Sequence, residues 1–229
     1  MAISFYEEGE LSSGFHGWRV VATIRGKRYQ KHFSLKRPNI RISQELWHKY
    51  QETRARYYEA RYMARSAAVQ YLDFIGKEHP TTRPHRGVGF HGITLGIGNG
   101  KSTSQDTCYF SVNKRGSATK FYIDEQTTLS QAWEQAVRYW GEAFDIRPKD
   151  VARKLTQVPG PDRFKLLRKQ LNEREGCDYQ ASVLHHVYAE QRSELAKQKA
   201  QETTKGKLNE DDLLAMYANL ERQVSEFRK

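Results

Sequence analysis

The residues best suited to chemistry in this chain are cations set between apolar residues, in the stretch GWRVVATIRGKRYQKHFSL at 17–35. Val20, Ala22 and Ile24 hold every second position, which is typical of a half-buried strand. Gly26 indicates a tight turn, after which a second strand returns. The pattern therefore predicts a hairpin with one apolar face and one cationic face.

In the second strand of this hairpin, Phe33 and Leu35 share the core parity. The opposite parity and the turn carry side chains that can hydrogen-bond to phosphates and base edges. The candidate DNA contacts of this first unit are Arg19, Thr23, Arg25, Lys27, Arg28, Gln30 and His32.

The distribution of charge indicates a polyanionic partner. The 229-residue chain has a net charge of +11, and residues 11–44 hold eight Lys or Arg and no Asp or Glu. Residues 79–123 hold six Lys or Arg and a single acid, Asp106. Because a solvated surface usually mixes both signs, two segments dominated by one sign favour nucleic acid as the partner.

A second stretch of the chain repeats the order of the first. The tetrapeptide Gly-Phe-His-Gly occurs at 14–17 and at 89–92, and the second copy leads into alternating strands with a basic glycine turn at 114–117. This order predicts a divergent internal duplication, although the first strand of the first unit is left unassigned. The candidate contacts of the second unit are Lys101, Lys114, Arg115, Lys120 and Tyr122.

Helices are predicted after both sets of strands. The first covers about residues 42–75 with Ser43 or Asn39 as its cap, and the second covers 128–144. One continuous apolar stripe of the first helix is formed by Ile42, Leu46, Tyr50, Thr53, Tyr57, Ala60, Ala64, Ala68, Tyr71 and Ile75. A second apolar side contains Trp47, Tyr58, Tyr62, Val69 and Leu72, so the helix is predicted to pack against more than one surface.

The fold class predicted from these patterns is α+β. Two small units of three-stranded antiparallel sheet packed on a helix, at 1–78 and 79–147, are followed by a helical C-terminal region at 148–229. Helices of that region are expected to begin near Pro148, Pro161, Asp178 and Asn209, with a polar hinge at 197–207. They either cap the domain or serve as a tail that forms a homodimer or binds another partner.

The hairpin sequence, with its W-x-V…G-K-R-x…F pattern, resembles the Apetala-type, ethylene-response-factor-like DNA-binding domain. It is also similar to the arm-site-binding domain of bacterial and phage integrases. The resemblance covers about residues 11–75 and 87–144, and it implies a sheet laid into the DNA major groove. It implies that groove-facing positions are held in the first unit by Arg19, Arg25, Lys27, Arg28 and His32, and in the second by Lys114, Arg115, Lys120 and Tyr122.

Other chemistries fit the sequence poorly. GIGNGKST at 96–103 lacks the phosphate-loop spacing because Leu95 stands where a glycine is required. The histidines and the two cysteines show no metal-ligand spacing, and no cofactor is expected. No set of residues suits a recombinase or nuclease, so catalysis is not expected. No apolar run reaches the length of a membrane span, and two thiols favour a reducing cytoplasm.

The sequence therefore predicts a cytoplasmic, nucleoid-associated protein that binds double-stranded DNA, either as a transcriptional regulator or as a DNA-architecture factor. Two alternatives stay open at this point. One is a mobile-element recombinase or nuclease component that uses these units for targeting. The other is an RNA-binding assembly factor.

Overall fold

The computed structural model describes residues 2–37, 41–100, 105–114, 116–205 and 210–227. Within these ranges the chain forms two three-stranded antiparallel sheets, each followed by a helix, and a helical C-terminal region, which confirms the predicted α+β class. The chain divides into two compact units. The first contains the residues up to Pro80 together with Gly89–His91, and the second contains Thr81–Val88 and the residues from Gly92 onward.

The first sheet consists, in spatial order, of β1 (Ala2–Tyr6), β2 (Gly17–Ile24) and β3 (Lys27–Ser34). β2 and β3 form the predicted hairpin, closed by the pairing of Ile24 with Lys27 around a two-residue turn. The missing first strand is β1, which pairs along the other edge of β2 from Ala2 to Tyr6.

The inner face of this sheet packs on α1 (Gln44–Gly76), whose start is capped by the Ser43 hydroxyl accepting from the Leu46 amide at 3.2 Å. The predicted parity of β2 is confirmed, because Val20 and Ala22 are 0% and 1% exposed. Ala55 of α1 is fully buried, and its small side chain lets the helix approach the sheet closely. The buried cluster consists of Trp18, Val20, Ala22, Phe33, Leu35, Ala55 and Tyr62.

The first sheet covers only one of the two apolar sides predicted for α1. Leu46, Tyr50 and Tyr57 of the continuous stripe are 58%, 52% and 59% exposed. The sheet instead covers the second apolar side, where Trp47, Gln51, Ala55, Tyr58 and Tyr62 recur at helical spacing. Both sides carry aromatic residues at the same spacing, so periodicity alone could not decide which of them the sheet covers.

The second sheet consists of β4 (Ile93–Asn99), β5 (Asp106–Lys114) and β6 (Ser117–Tyr122), in that order. Its inner face packs on α2 (Leu129–Ala143), which begins with a capping box between Thr128 and Gln131. Trp133 of α2 is buried against the ring of Phe110, with ring centroids 5.1 Å apart.

The C-terminal region contributes helices to the core of the second unit. Its helical segments are α3 (Pro148–Leu155), α4 (Asp162–Arg174), a short 3-10 helix (Ala181–Leu184), α5 (Ala189–Lys205) and α6 (Glu210–Phe227). Phe164 of α4 is fully buried, with its ring 5.5 Å from that of Phe110. The expected helix start near Asp178 and the first part of the expected hinge are wrong, because α5 begins at Ala189 and runs to Lys205.

The two sheets share strand order, but the repeated tetrapeptide does not mark equivalent places. The copy at 14–17 leads into β2, the central strand of the first sheet, whereas the copy at 89–92 leads into β4, an edge strand. The basic turns do correspond, since each joins the second strand of its sheet to the third. The case for a duplication therefore depends on strand order and turns.

No helix within the described ranges combines the length and apolar character that crossing a bilayer requires.

Gly17 is expected to be indispensable to the first sheet. Its φ is +141°, and a Cβ there would lie 2.1 Å from the carbonyl oxygen of Phe33. Backbone strain and overpacking together predict that Gly17→Ala lowers the free energy of unfolding by about 2–6 kcal/mol. Urea denaturation followed by tryptophan fluorescence measures the loss.

Gly26→Ala is the matched control for this substitution. Gly26 also has a positive φ, +75°, but nothing lies within 4 Å of a Cβ at that position. Gly26→Ala should therefore lower the free energy of unfolding by only about 1–2 kcal/mol, the cost of a left-handed backbone conformation in a residue with a Cβ. Equal losses for the two variants would contradict the close approach at Gly17.

Candidate nucleic-acid interface

The face of the first sheet that points away from α1, the outer face, carries most of the predicted contacts of the first unit. Strand register places Arg19 opposite His32, and Thr23 opposite Arg28, on this face. β1 adds Ser4 beside Arg19, and none of the strand positions on this face is acidic. The described strand residues of the outer face are Ala2, Ser4, Tyr6, Gly17, Arg19, Val21, Thr23, Arg28, Gln30, His32 and Ser34.

Arg19 lies near the middle of the outer face and is held in place by a neighbour. Its Nη2 donates to Oε1 of Gln30 at 3.3 Å across the β2–β3 ladder. Its Nε is buried and has no hydrogen-bond acceptor among the described residues. A buried donor without an acceptor is unfavourable. The guanidinium only donates hydrogen bonds, and its Nη groups have further hydrogens, besides the one bonded to Gln30, that can donate to a ligand oxygen or ring nitrogen.

An aromatic residue that the sequence analysis did not single out joins this surface. The ring of Phe15 lies edge-on to His32, with centroids 5.2 Å apart, and 6.3 Å from the ring of Tyr6. Phe15 precedes the strand, so strand periodicity gave no signal for it. Its place in the repeated tetrapeptide at 14–17 was the available signal.

Arg25 does not lie on the outer face, which corrects the predicted interface. The sequence pattern predicts that it lies with the outer-face cations, but its Nη2 forms an ion pair with Oδ1 of Asp73 on α1 at 2.7 Å, and its Nε donates to Oδ2 at 3.3 Å. The reason is the turn: Arg25 has a φ of +49°, which takes it out of the strand alternation and toward the helix. The hydrogen bond from Arg25, followed by that from Lys77, lowers the pKa of Asp73 below its ordinary 3.8.

The two ends of the first sheet carry different charges. Lys27 and Arg28 are exposed at the hairpin tip, with the Lys27 ammonium 5.8 Å from the ring of Tyr29. At the opposite end, near Gly17, the acids Glu7, Glu8 and Glu10 follow β1 and the cations Lys36 and Arg37 follow β3. A polyanion is therefore attracted more strongly to the tip and the middle of the outer face than to the end of mixed charge.

The outer face of the second sheet is less cationic. Lys120 lies there with its ammonium 4.4 Å from the ring centroid of Tyr109. Tyr122 neighbours the same ring, at 5.5 Å between centroids. The Tyr109 ring lies across Gly96, where a Cβ would be 2.3 Å from it, so this glycine serves a strand surface and not a phosphate loop. Lys114 is exposed at the β5–β6 turn, whereas Lys101 and Arg115 lie outside the described residues.

Two more cations of the predicted basic segment 79–123 share one acid from far along the chain, so their charge is only partly neutralised. Arg83 and Arg86 both form ion pairs with Glu175, the latter at 3.2 Å. Burial raises the pKa of Glu175, but the hydrogen bonds and charges of the two arginines outweigh it, so the pKa lies below its ordinary value. A cleft of about 430 Å³ opens beside this cluster.

The cysteines and histidines do not form a second site in the described ranges. No group of three or more His, Cys, Asp or Glu there is close enough to hold a metal ion. Cys108 and Cys177 are free thiols, and burial raises the pKa of Cys108 to about 12.

Comparison with models of protein families, with curated proteins and with solved structures gave no match. The functional assignment of the outer face therefore depends on its own residues and geometry.

The Arg25–Asp73 pair predicts a specific titration. Because the pKa of Asp73 is depressed in the folded state, its stabilisation is present above its ordinary value of 3.8 and is lost as the pH falls through the lower folded value. An NMR titration of the Asp73 carboxyl carbon should give a midpoint below 3.8, and Arg25→Ala should raise it.

Arg28→Ala is the control, because Arg28 lies on the other side of the sheet, on the outer face. It should leave the Asp73 midpoint unchanged. A midpoint that responds to both variants alike would mean that general charge, and not this ion pair, sets the pKa.

Proposed function

We propose that this protein binds double-stranded DNA by placing the outer face of its first sheet in the major groove. The observation that carries the proposal is the strand register, which gathers Arg19, Thr23, Arg28, Gln30 and His32 on one face without an acid. A two-stranded ribbon fits the width of the B-form major groove, and Arg and Gln are side chains that read base edges there.

The phosphates are proposed to be bound from the rim of this surface. Lys27 at the hairpin tip is exposed and free of ion pairs with acids of the described chain. The middle of the face, with Arg19 and Gln30 already hydrogen-bonded to each other, is rigid enough to present donors to base edges. Arg25 is not among the proposed contacts, because Asp73 holds it on the helix side.

The second unit is proposed to add phosphate contacts with little reading of bases. Lys114 at the turn is exposed, whereas Lys120 covers the ring of Tyr109. Joining two DNA-binding units in one chain raises the effective concentration of the second once the first is bound. A regulatory or architectural role at the nucleoid would follow from such binding.

Duplex DNA is the proposed polymer because of groove shape. The major groove of A-form RNA is deep and narrow, so a sheet face cannot reach its base edges. Competition of a labelled DNA duplex with unlabelled duplex DNA, duplex RNA and single-stranded RNA should therefore show displacement mainly by DNA. Stronger displacement by either RNA would support an RNA-binding function and contradict this one.

Arg28→Ala should weaken binding to a labelled duplex and lower the steepness of its salt dependence. Each lost phosphate contact reduces the log–log slope by about 0.9, and loss of a base contact weakens affinity by about 1–3 kcal/mol. Fluorescence anisotropy at a series of salt concentrations measures both quantities. Arg19→Ala is expected to weaken affinity with a smaller change of slope, since Arg19 lies inside the face.

Arg138→Ala is the matched control. Arg138 lies on α2, where it is ion-paired with Glu134 at 2.7 Å, so the substitution removes the same charge from a residue that is not part of the outer face. Its affinity should stay close to that of the parent. If all three arginine variants lose affinity equally, net charge alone drives binding and the outer face has no special role.

A further inference from the structure

Helix α6 has an apolar face that nothing in the described chain covers. Its apolar residues are between 51% and 91% exposed. Five of them recur at alternating spacings of four and three residues, namely Leu213, Tyr217, Leu220, Val224 and Phe227. This is the heptad pattern of a helix that packs along another helix. An amphipathic helix whose apolar face stays exposed indicates a missing partner.

Helix α1 carries an uncovered face with the same periodicity. Leu46, Tyr50 and Tyr57 are each more than half exposed and follow, with Thr53, the same alternation of four and three residues. Ala55 and Tyr62, which are buried against the first sheet, lie on the opposite side of the helix. α1 can therefore hold its sheet on one side and a second helix on the other.

The charges beside these two faces have opposite signs. The positions that flank the exposed face of α1 hold Lys49, Arg54, Arg56 and Arg61. Of these, Arg56 is ion-paired with Glu52 at 2.6 Å, on the same helix. Residues 210–227 of α6 hold five acids and one arginine, a net charge of −4. By helical spacing, Glu210 lies in line with the apolar residues of α6, one turn before Leu213, and Glu221 flanks them. Arg222 lies on the opposite side of the helix.

We propose that α6 of one copy of this chain packs along the exposed face of α1 of a second copy. Opposite charges favour this pairing, whereas α6 against α6 would bring two acidic helices together and α1 against α1 two rows of cations. Two-fold symmetry forms the contact twice in one dimer. Two helix pairs together can approach the interface of about 1,200–2,000 Å² that stable complexes bury.

Sedimentation equilibrium of the full chain, without nucleic acid, tests this pairing. The parent is expected to be a dimer at micromolar concentration. Leu213→Gln with Leu220→Gln in α6, and Leu46→Gln with Tyr57→Gln in α1, should each raise the dissociation constant about tenfold or more, because each removes apolar anchors from both contacts. Far-UV circular dichroism checks that the variants stay folded, which is expected since all four residues are exposed.

Leu166→Gln with Leu195→Gln is the matched control, since these leucines are 59% and 50% exposed on α4 and α5. It should leave the dimer unchanged. Mixing the α1 variant with the α6 variant should yield a heterodimer more stable than either variant homodimer, because one intact α1–α6 contact is restored. Added salt should weaken the parent dimer.

Three results would overturn the proposal. A monomer at all concentrations would show that α6 has another partner or packs within its own chain. A dimer lost in the α6 variant but kept in the α1 variant would assign the contact to two α6 helices. A parent dimer that becomes more stable as salt is added would also indicate contact between like-charged helices. Because no DNA is present, none of these results bears on DNA binding.

Discussion

The cationic outer face of the first sheet depends on one constraint, the burial of the alternate residues of β2 against a single helix. Val20 and Ala22 are almost completely buried, and their contacts fix which way the strand faces. Because side chains alternate with a period of two, the same burial turns Arg19 and Thr23 outward. A register slip of one residue would place those polar side chains in the core. The hydrophobic core and the proposed binding surface are thus the two faces of one sheet.

The second determinant is which cations the fold places in ion pairs. Asp73, 48 residues along the chain from Arg25, holds that arginine in an ion pair on the helix side of the sheet, although its side chain stays 55% exposed. Glu175 pairs with both Arg83 and Arg86 in the second unit. On the outer face and at the tip of the first sheet, Arg19, Lys27 and Arg28 form no ion pair with an acid of the described residues. We propose that the outer face of the first sheet is therefore suited to base edges, whereas the second sheet, whose Lys120 covers the ring of Tyr109, is suited to phosphates.

Much of this arrangement could be predicted from local pattern. The hairpin, its parity and the Ser43 cap each depend on residues within a few positions of one another, and the structure confirms them. The features that sequence reasoning missed depend on distant partners. β1 is short and separated from β2 by a loop. The buried side of α1 depends on where the sheet lies, and the position of the Arg25 side chain depends on its ion pair with Asp73. Tertiary context decided each of these in a way that periodicity could not.

Photo-crosslinking tests the central claim most directly. A photoreactive phenylalanine analogue placed at Thr23 or at Gln30 lies on the outer face, whereas the same group at Lys31 lies on the opposite parity, where the lysine ammonium is 5.5 Å from the ring of Tyr58 on α1. The account predicts crosslinks to a DNA duplex from positions 23 and 30 and few from position 31. Crosslinks of equal yield from all three positions, or from position 31 alone, would contradict it.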